Sequence, residues 1–101
     1  GKLLQVRADV DARTNEEVTP LYVASGQGHA AVVGKLLQAR ATVDARTKKR
    51  VTPLIIASYN DHAGVVRLLL DRRADVNAVD NYGDTAKTVA KSAAVKALMN
   101  G

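Results

Sequence analysis

Val51-Thr52-Pro53-Leu54-Ile55-Ile56-Ala57-Ser58-Tyr59-Asn60-Asp61-His62-Ala63-Gly64-Val65-Val66-Arg67-Leu68-Leu69-Leu70 reads as two short helices and the turn between them. Proline suits a first helical turn, where its missing N–H has no partner to lose, and Thr52 immediately before it is a capping residue. Leu54, Ile55, Ala57 and Ser58 follow as apolar or small side chains at helical spacing, until Tyr59-Asn60-Asp61-His62 breaks the run. Ala63 to Leu70 predicts a second helix, whose Val65, Val66, Leu68, Leu69 and Leu70 make a broad apolar stripe. Asp71-Arg72-Arg73 ends it.

Neither helix is long enough to be stable alone in water, so the pair must bury its faces on neighbouring pairs. The chain supplies them. Slid by one constant offset, Thr52-Pro53-Leu54 lies over Thr19-Pro20-Leu21 and over Thr85-Ala86-Lys87. His62 then lies over His29, Val65-Val66 over Val32-Val33, and Asp44-Ala45 over Asp11-Ala12 and Asn77-Ala78. Leu68-Leu69 falls over Leu36-Leu37 after a drift of one residue. A period of about 33 residues marks an array of stacked supersecondary units.

Composition closes off other classes. A chain of 101 residues suffices for one domain with a modest core. An apolar share of 47% with only 3% aromatic gives a core of Leu, Val and Ala, suited to closely apposed helices. The absence of cysteine excludes a disulfide framework and a thiolate zinc site, and is compatible with a reducing compartment. The longest apolar runs fall far short of the roughly 20 residues that span a bilayer, and no charged-then-apolar leader opens the chain. The expectation is a soluble intracellular protein, cytoplasmic or nuclear, with no membrane partner. The formal charge of +5 points either to an acidic partner or to a solvated surface.

The repeating unit resembles the ankyrin repeat: a hairpin-like finger, an inner helix, an outer helix and a connector. The residues that carry the resemblance are Thr19-Pro20-Leu21-Tyr22, Gly28-His29, Val32-Val33, Leu36-Leu37 and Ala8-Asp9-Val10-Asp11-Ala12. It implies an all-α solenoid of stacked helix-turn-helix units joined by β-hairpin-like fingers. Residues 1–101 are then a single array: 1–12 the end of a truncated repeat, 13–45 and 46–78 two repeats, and 79–101 a shortened capping repeat with its inter-helix turn at Lys91-Ser92. The opening units suggest a fragment of a longer array, natural or engineered. Lys87, Lys91 and Lys96 suggest a solvated closing face.

Arrays of this family generally bind other proteins along a concave strip of finger tips and inner-helix surface, because those residues do not pack the core. Carried onto this sequence, the strip comprises Arg13, Asn15, Glu16, Val18 and Gln27 in the first unit. It continues through Arg46, Lys48, Lys49, Val51, Tyr59 and Asn60 to Asn81 and Tyr82. Tyr59 and Tyr82 offer contact area and a polar handle at small entropic cost. Val18 and Val51 either face the partner or pack between fingers as β-branched residues. The resemblance therefore implies a non-catalytic module for a protein partner, and the positive charge of the chain suggests a partner with acidic character.

Several positions depart from the family pattern. Arg7, Arg40 and Arg73 stand after the outer helices where glycine is usual, so arginine is expected at positive φ. Such arginines either meet the negative end of the helix dipole and pack their stems on the next unit, or form an anion-binding strip. The finger glycine is Glu17 and Arg50 and survives only as Gly83; Thr14 and Thr47 replace the finger aspartate that survives as Asp80. Those two fingers are expected to turn less regularly than the third. Stacking predicts that Glu16 faces Lys49 and Glu17 faces Arg50.

An alternative function is binding of an anionic ligand or nucleic acid through Arg46, Lys48, Lys49 and Arg50 with the arginine ladder, although aromatic platforms for bases are scarce. A third is weak self-association through Leu3, Leu4 and the flank of the Leu21 and Leu36 helices. His29 and His62 are expected to stabilise turns and not to share a metal, since stacked helices lie roughly 8–10 Å apart. No serine or carboxylate pair has a spacing that argues for nucleophilic or acid/base work, and no cofactor is implied.

Overall fold

The computed structural model describes residues 9–100. After a 3₁₀ turn at Asp9–Asp11 come α1 (Pro20–Gln27), α2 (Ala30–Gln38), α3 (Pro53–Tyr59), α4 (Ala63–Asp71), α5 (Ala86–Val89) and α6 (Ala93–Leu98). No strand occurs among the described residues. Inner helix α1 packs on α3 and α3 on α5; behind them α2 packs on α4 and α4 on α6. Both bounds of α4 fall one full period beyond those of α2, so the drift suggested by the leucines is absent from the helices.

The inner helices start as their sequences dictate. Thr19 Oγ1 accepts from the Tyr22 amide at 3.2 Å and Thr52 Oγ1 from the Ile55 amide at 3.2 Å, with Pro20 and Pro53 opening the first turn. Thr85 and Thr88 form a reciprocal box, each hydroxyl accepting from the other's amide, at 3.3 and 2.8 Å. Leu21, Leu54, Val33, Val66, Leu69 and Val95 are fully buried between the rows. Ala24, Ala57 and Ala90, one per inner helix unit, are buried as well, and their small side chains permit close approach of α1, α3 and α5. In the third pair α6 starts at Ala93, whereas the start of α4 carried one period on falls at Lys96. Ala90-Lys91-Ser92 makes the shortened connection, and Ser92 Oγ caps α6 by accepting from the Val95 amide at 3.1 Å.

Four helices end in one motif. Gly28 (φ 76°), Arg40 (φ 68°), Asp61 (φ 63°) and Arg73 (φ 62°) take the left-handed conformation just past α1, α2, α3 and α4. After α2, the Arg40 amide donates to the Leu37 carbonyl and the Ala41 amide to the Leu36 carbonyl, both at 3.0 Å. After α4, Arg73 donates to Leu70 at 2.9 Å and Ala74 to Leu69 at 3.1 Å. This pairing satisfies the last carbonyls and reverses the chain. Arg7 lies outside the described residues. The contact with the dipole anticipated for Arg40 and Arg73 is made instead by Arg72, whose Nη1 donates to the Leu37 carbonyl at the C-terminus of α2 (3.0 Å).

The fingers are equally regular, contrary to the sequence expectation. Glu17 (φ 60°), Arg50 (φ 64°) and Gly83 (φ 82°) occupy the same conformation at equivalent places in successive units. Thr14 Oγ1 accepts from the Glu16 and Val18 amides at 3.2 Å, and Thr47 Oγ1 from the Val51 amide at 3.2 Å. Asp80 Oδ1 does the same work in the third finger, accepting from Tyr82 (2.9 Å) and Asp84 (3.0 Å). A hydroxyl thus replaces the carboxylate oxygen without loss of the turn.

Two stability changes follow from the backbone and one from the core. Arg73 is exposed and strained at φ 62°, so Arg73→Gly should raise the unfolding free energy by about 0.5–1 kcal/mol in chemical denaturation, the relief of strain exceeding the entropy of glycine. Gly28→Ala should lower it by about 2 kcal/mol, because a Cβ there would lie 2.6 Å from His62 Nδ1 and would displace a ring that is bonded to the Gly26 carbonyl. Ser25 Oγ is fully buried with no hydrogen-bond partner among the described residues, unlike Ser58 Oγ, which lies 4.0 Å from Met99 Sδ. Ser25→Ala should therefore stabilise the chain by about 1 kcal/mol, read as a shift in the denaturation midpoint.

Candidate binding groove

Fingers and inner helices together wall a groove of about 540 Å³. Tyr22 enters it from α1, one residue past the buried Leu21; Tyr59 enters from the end of α3, and Tyr82 from the tip of the third finger. The chain has three tyrosines and no phenylalanine or tryptophan, so every aromatic ring it possesses lies on this one surface. Tyr59 and Tyr82 are exposed at 50% and 65%, and Tyr22 is half-buried. Ile55, Ile56 and Val89 from the inner helices complete the apolar lining with Val18 and Val51 from the fingers. The two valines are half-buried and line the groove, and Val51 also packs against the hydrophobic core.

Two ammonium groups sit on the rings. Lys91 Nζ lies 4.5 Å from the centre of Tyr59 and Lys49 Nζ 5.8 Å from that of Tyr82, both within cation–π range. The neighbouring Tyr82 phenol, and secondarily Glu16, hold the Lys49 ammonium above its ordinary pKa. Burial, and secondarily the neighbouring Tyr82, push the Tyr22 phenol up. Asp80 is occupied by its backbone amides, and Asp84 Oδ1 accepts from the Thr88 hydroxyl at 3.3 Å. Glu16, Lys48 and Lys49 form no ion pair among the described residues.

The structure brings together seven of the residues singled out from sequence: Glu16, Val18, Lys48, Lys49, Val51, Tyr59 and Tyr82. The rest stand off the groove. Arg13 Nη1 pairs with Glu17 Oε1 at 3.3 Å, Asn60 Nδ2 donates to the Gly26 carbonyl at 2.8 Å, and Asn81 donates through its amide to the Lys49 carbonyl at 2.9 Å. Asn15, Gln27 and Arg46 do not line it. Tyr22, Ile56 and Val89 were missed, because Tyr22 reads as a variant of the Thr-Pro-Leu motif and the other two read as helix filler. Alternation along the inner helix, buried Leu21 followed by Tyr22, was the available signal.

The predicted Glu16–Lys49 and Glu17–Arg50 pairs do not form. The Lys48 amide donates to the Glu16 carbonyl at 3.0 Å and the Asn81 amide to the Lys49 carbonyl at 2.9 Å, so stacked fingers are staggered by one residue from the sequence period. Glu17 turns to Arg13 in its own finger, and Lys49 turns to Tyr82.

None of Arg40, Arg50 and Arg73 lines the groove or makes a side-chain hydrogen bond among the described residues. His62 Nε2 lies 3.1 Å from the Gly26 carbonyl, whereas His29 makes no such bond among them. They contain no group of three His, Asp or Glu placed to hold a metal, and no helix long and apolar enough to cross a membrane. Of the surface invoked for self-association, Leu3 and Leu4 lie outside the described residues, and the helices of Leu21 and Leu36 carry Val23 and Val32 as exposed apolar side chains.

The raised Tyr22 pKa has a definite sign. The folded chain holds this proton to higher pH than the unfolded chain does, so its contribution to stability is present below the ordinary tyrosine value near 10 and is lost as pH rises through the folded value. Denaturation midpoints of the native chain should therefore fall more steeply above about pH 10 than those of Tyr22→Phe. Near-ultraviolet titration should show the Tyr22 phenolate forming at lower pH in Tyr82→Phe.

A comparison with curated proteins finds no significant match. The family model for ankyrin repeats, in three copies, matches residues 2–80. With its paired helices, threonine-capped inner helices and stacked fingers, the chain belongs to the ankyrin-repeat family, whose members are generally protein–protein interaction modules and typically non-catalytic.

Proposed function

We propose that this chain is a non-catalytic module that binds a protein partner in the groove between its fingers and inner helices. The observation that carries the reading is the gathering of Tyr22, Tyr59 and Tyr82, the whole aromatic complement, on one concave surface. Packing does not require this. The core closes with Leu, Val, Ile, Ala and one Met, and two of the three rings are half exposed or more. Tyrosines placed so supply rigid contact area with a hydroxyl at one end, the composition of binding hot spots. The groove is apolar over much of its lining and pre-formed by helices, which limits the ordering cost of binding.

Binding of nucleic acid or a simple anion through Arg46, Lys48, Lys49 and Arg50 with the arginine ladder draws less support: Lys48 and Lys49 line the groove, but Arg40, Arg46, Arg50 and Arg73 do not. Peptides selected from a randomised displayed library against the immobilised chain should bind the native protein and lose about tenfold or more in affinity on Tyr59→Ala. Their binding should persist at high salt. Unchanged affinity on a Tyr22→Ala, Tyr59→Ala double variant, or retention only of nucleic acid that salt removes, overturns the proposal.

A further inference from the structure

We propose that the groove's occupant is a peptide segment presenting a carboxylate beside an apolar side chain, with the carboxylate received by Lys49 together with the hydroxyls of Tyr82 and Tyr22. This rests on the groove being the binding site, and it names what the groove selects.

The two ammonium groups set the sign of charge at the rings. Of the groove's three carboxylates, Asp80 accepts from the amides of Tyr82 and Asp84, and Asp84 from the Thr88 hydroxyl, so both are held by donors of the chain itself while keeping their charge. The exposed rings of Tyr59 and Tyr82 already carry the chain's own ammonium groups, Lys91 at 4.5 Å and Lys49 at 5.8 Å. A lysine or arginine arriving at either ring would meet like charge where its cation–π contact should form. A carboxylate would meet the Lys49 ammonium instead, which forms no ion pair among the described residues.

Lys49 and Tyr82 meet on the wall of the groove. Lys49 lies at the tip of the second finger over the ring of Tyr82, which the third finger supplies. Tyr82 and Tyr22 both line the groove, although one belongs to the third finger and the other to the first inner helix, so the site spans the stack. The ionisation of Tyr22 responds to that of Tyr82, in keeping with their closeness. An ammonium and two phenol hydroxyls offer charge-assisted hydrogen bonds to one carboxylate. Glu16 is the opposing group, an exposed finger-tip carboxylate whose charge acts on Lys49. Beyond these donors the lining turns apolar through Ile56, Val51 and Tyr59, which gives the adjoining side chain its place.

The test is a displayed random-peptide selection on the native chain, on Lys49→Gln and on Tyr59→Ala, each checked for an unchanged helical spectrum. Native protein should enrich Asp or Glu next to Leu, Ile, Val or Phe. Lys49→Gln should keep the apolar preference and lose the acidic one. For one selected peptide, changing its Glu to Gln should weaken binding about five- to tenfold on the native chain and little on Lys49→Gln. Amidating that peptide's C-terminus separates a terminal carboxylate from a side-chain one. Enrichment of Lys or Arg, the absence of any ionic bias, or an acidic bias that survives Lys49→Gln overturns the carboxylate site while Tyr59→Ala still weakens binding. Insensitivity to Tyr59→Ala removes the groove reading as well.

Discussion

Everything in this molecule depends on the burial of short helices against their neighbours in the stack. The eight residues of α1 and nine of α2 are too few to hold a helix in water, so each persists only because Leu21, Leu54, Val33, Val66 and Leu69 are withdrawn from solvent between the rows. The polar bonds between units almost all end on the main chain. Asn60 and His62 reach the Gly26 carbonyl, Arg72 reaches that of Leu37, and the Asp11 and Asp44 carboxylates accept from the amides of Thr42 and Asp75. Because these bonds read backbone, the side chains on the finger and inner-helix surface remain free to differ from unit to unit. That freedom is the condition for a groove with a chemistry of its own.

The second constraint is a set of left-handed residues that turn the chain after each of the first four helices and at each finger. Glycine fills only Gly28 and Gly83 of the positions with this conformation; Glu17, Arg40, Arg50, Asp61 and Arg73 fill the others at a cost in strain. The caps form regardless, since their two hydrogen bonds and the burial of Ala41 and Ala74 beyond them outweigh about 1 kcal/mol per residue. Gly28 is the exception for a specific reason: the His62 ring occupies the space that a Cβ would need. The same turn lies two residues past the Gly26 carbonyl on which Asn60 and His62 converge, so it joins two units.

Much of the architecture was legible because it is written locally. Thr-Pro-Leu announces a capped helix, the valine and leucine pairs announce its partner, and the constant offset between copies announces their stacking. What was not legible depends on stagger and direction. An offset counted along the chain puts Lys49 opposite Glu16, but the Lys48 amide is the one bonded to the Glu16 carbonyl, and the Lys49 ammonium turns to the Tyr82 ring. Likewise an arginine at the C-terminus of a helix is readable, but whether Arg72 or Arg73 bends back to the dipole is decided by which of them must adopt positive φ. Tyr22 was concealed by its motif: the position reads as part of a helix start, and only the folded chain shows it beside Tyr82.

The placement of the tyrosines is what separates this array from a bare scaffold. An aliphatic core needs no aromatic residue, and the structure buries none fully. Rings left on a surface carry a solubility cost unless something covers them, and here Lys49 and Lys91 partly do so. Each lysine shields an apolar face from water and keeps a full positive charge at the rim of the groove. An incoming apolar group can displace such a side chain into solvent at little cost, because an exposed ammonium stays hydrated in either position. An incoming anion has no need to displace it. The two rings and their lysines therefore work as paired elements, apolar beneath and cationic above, and a partner that satisfies both must carry both kinds of group close together.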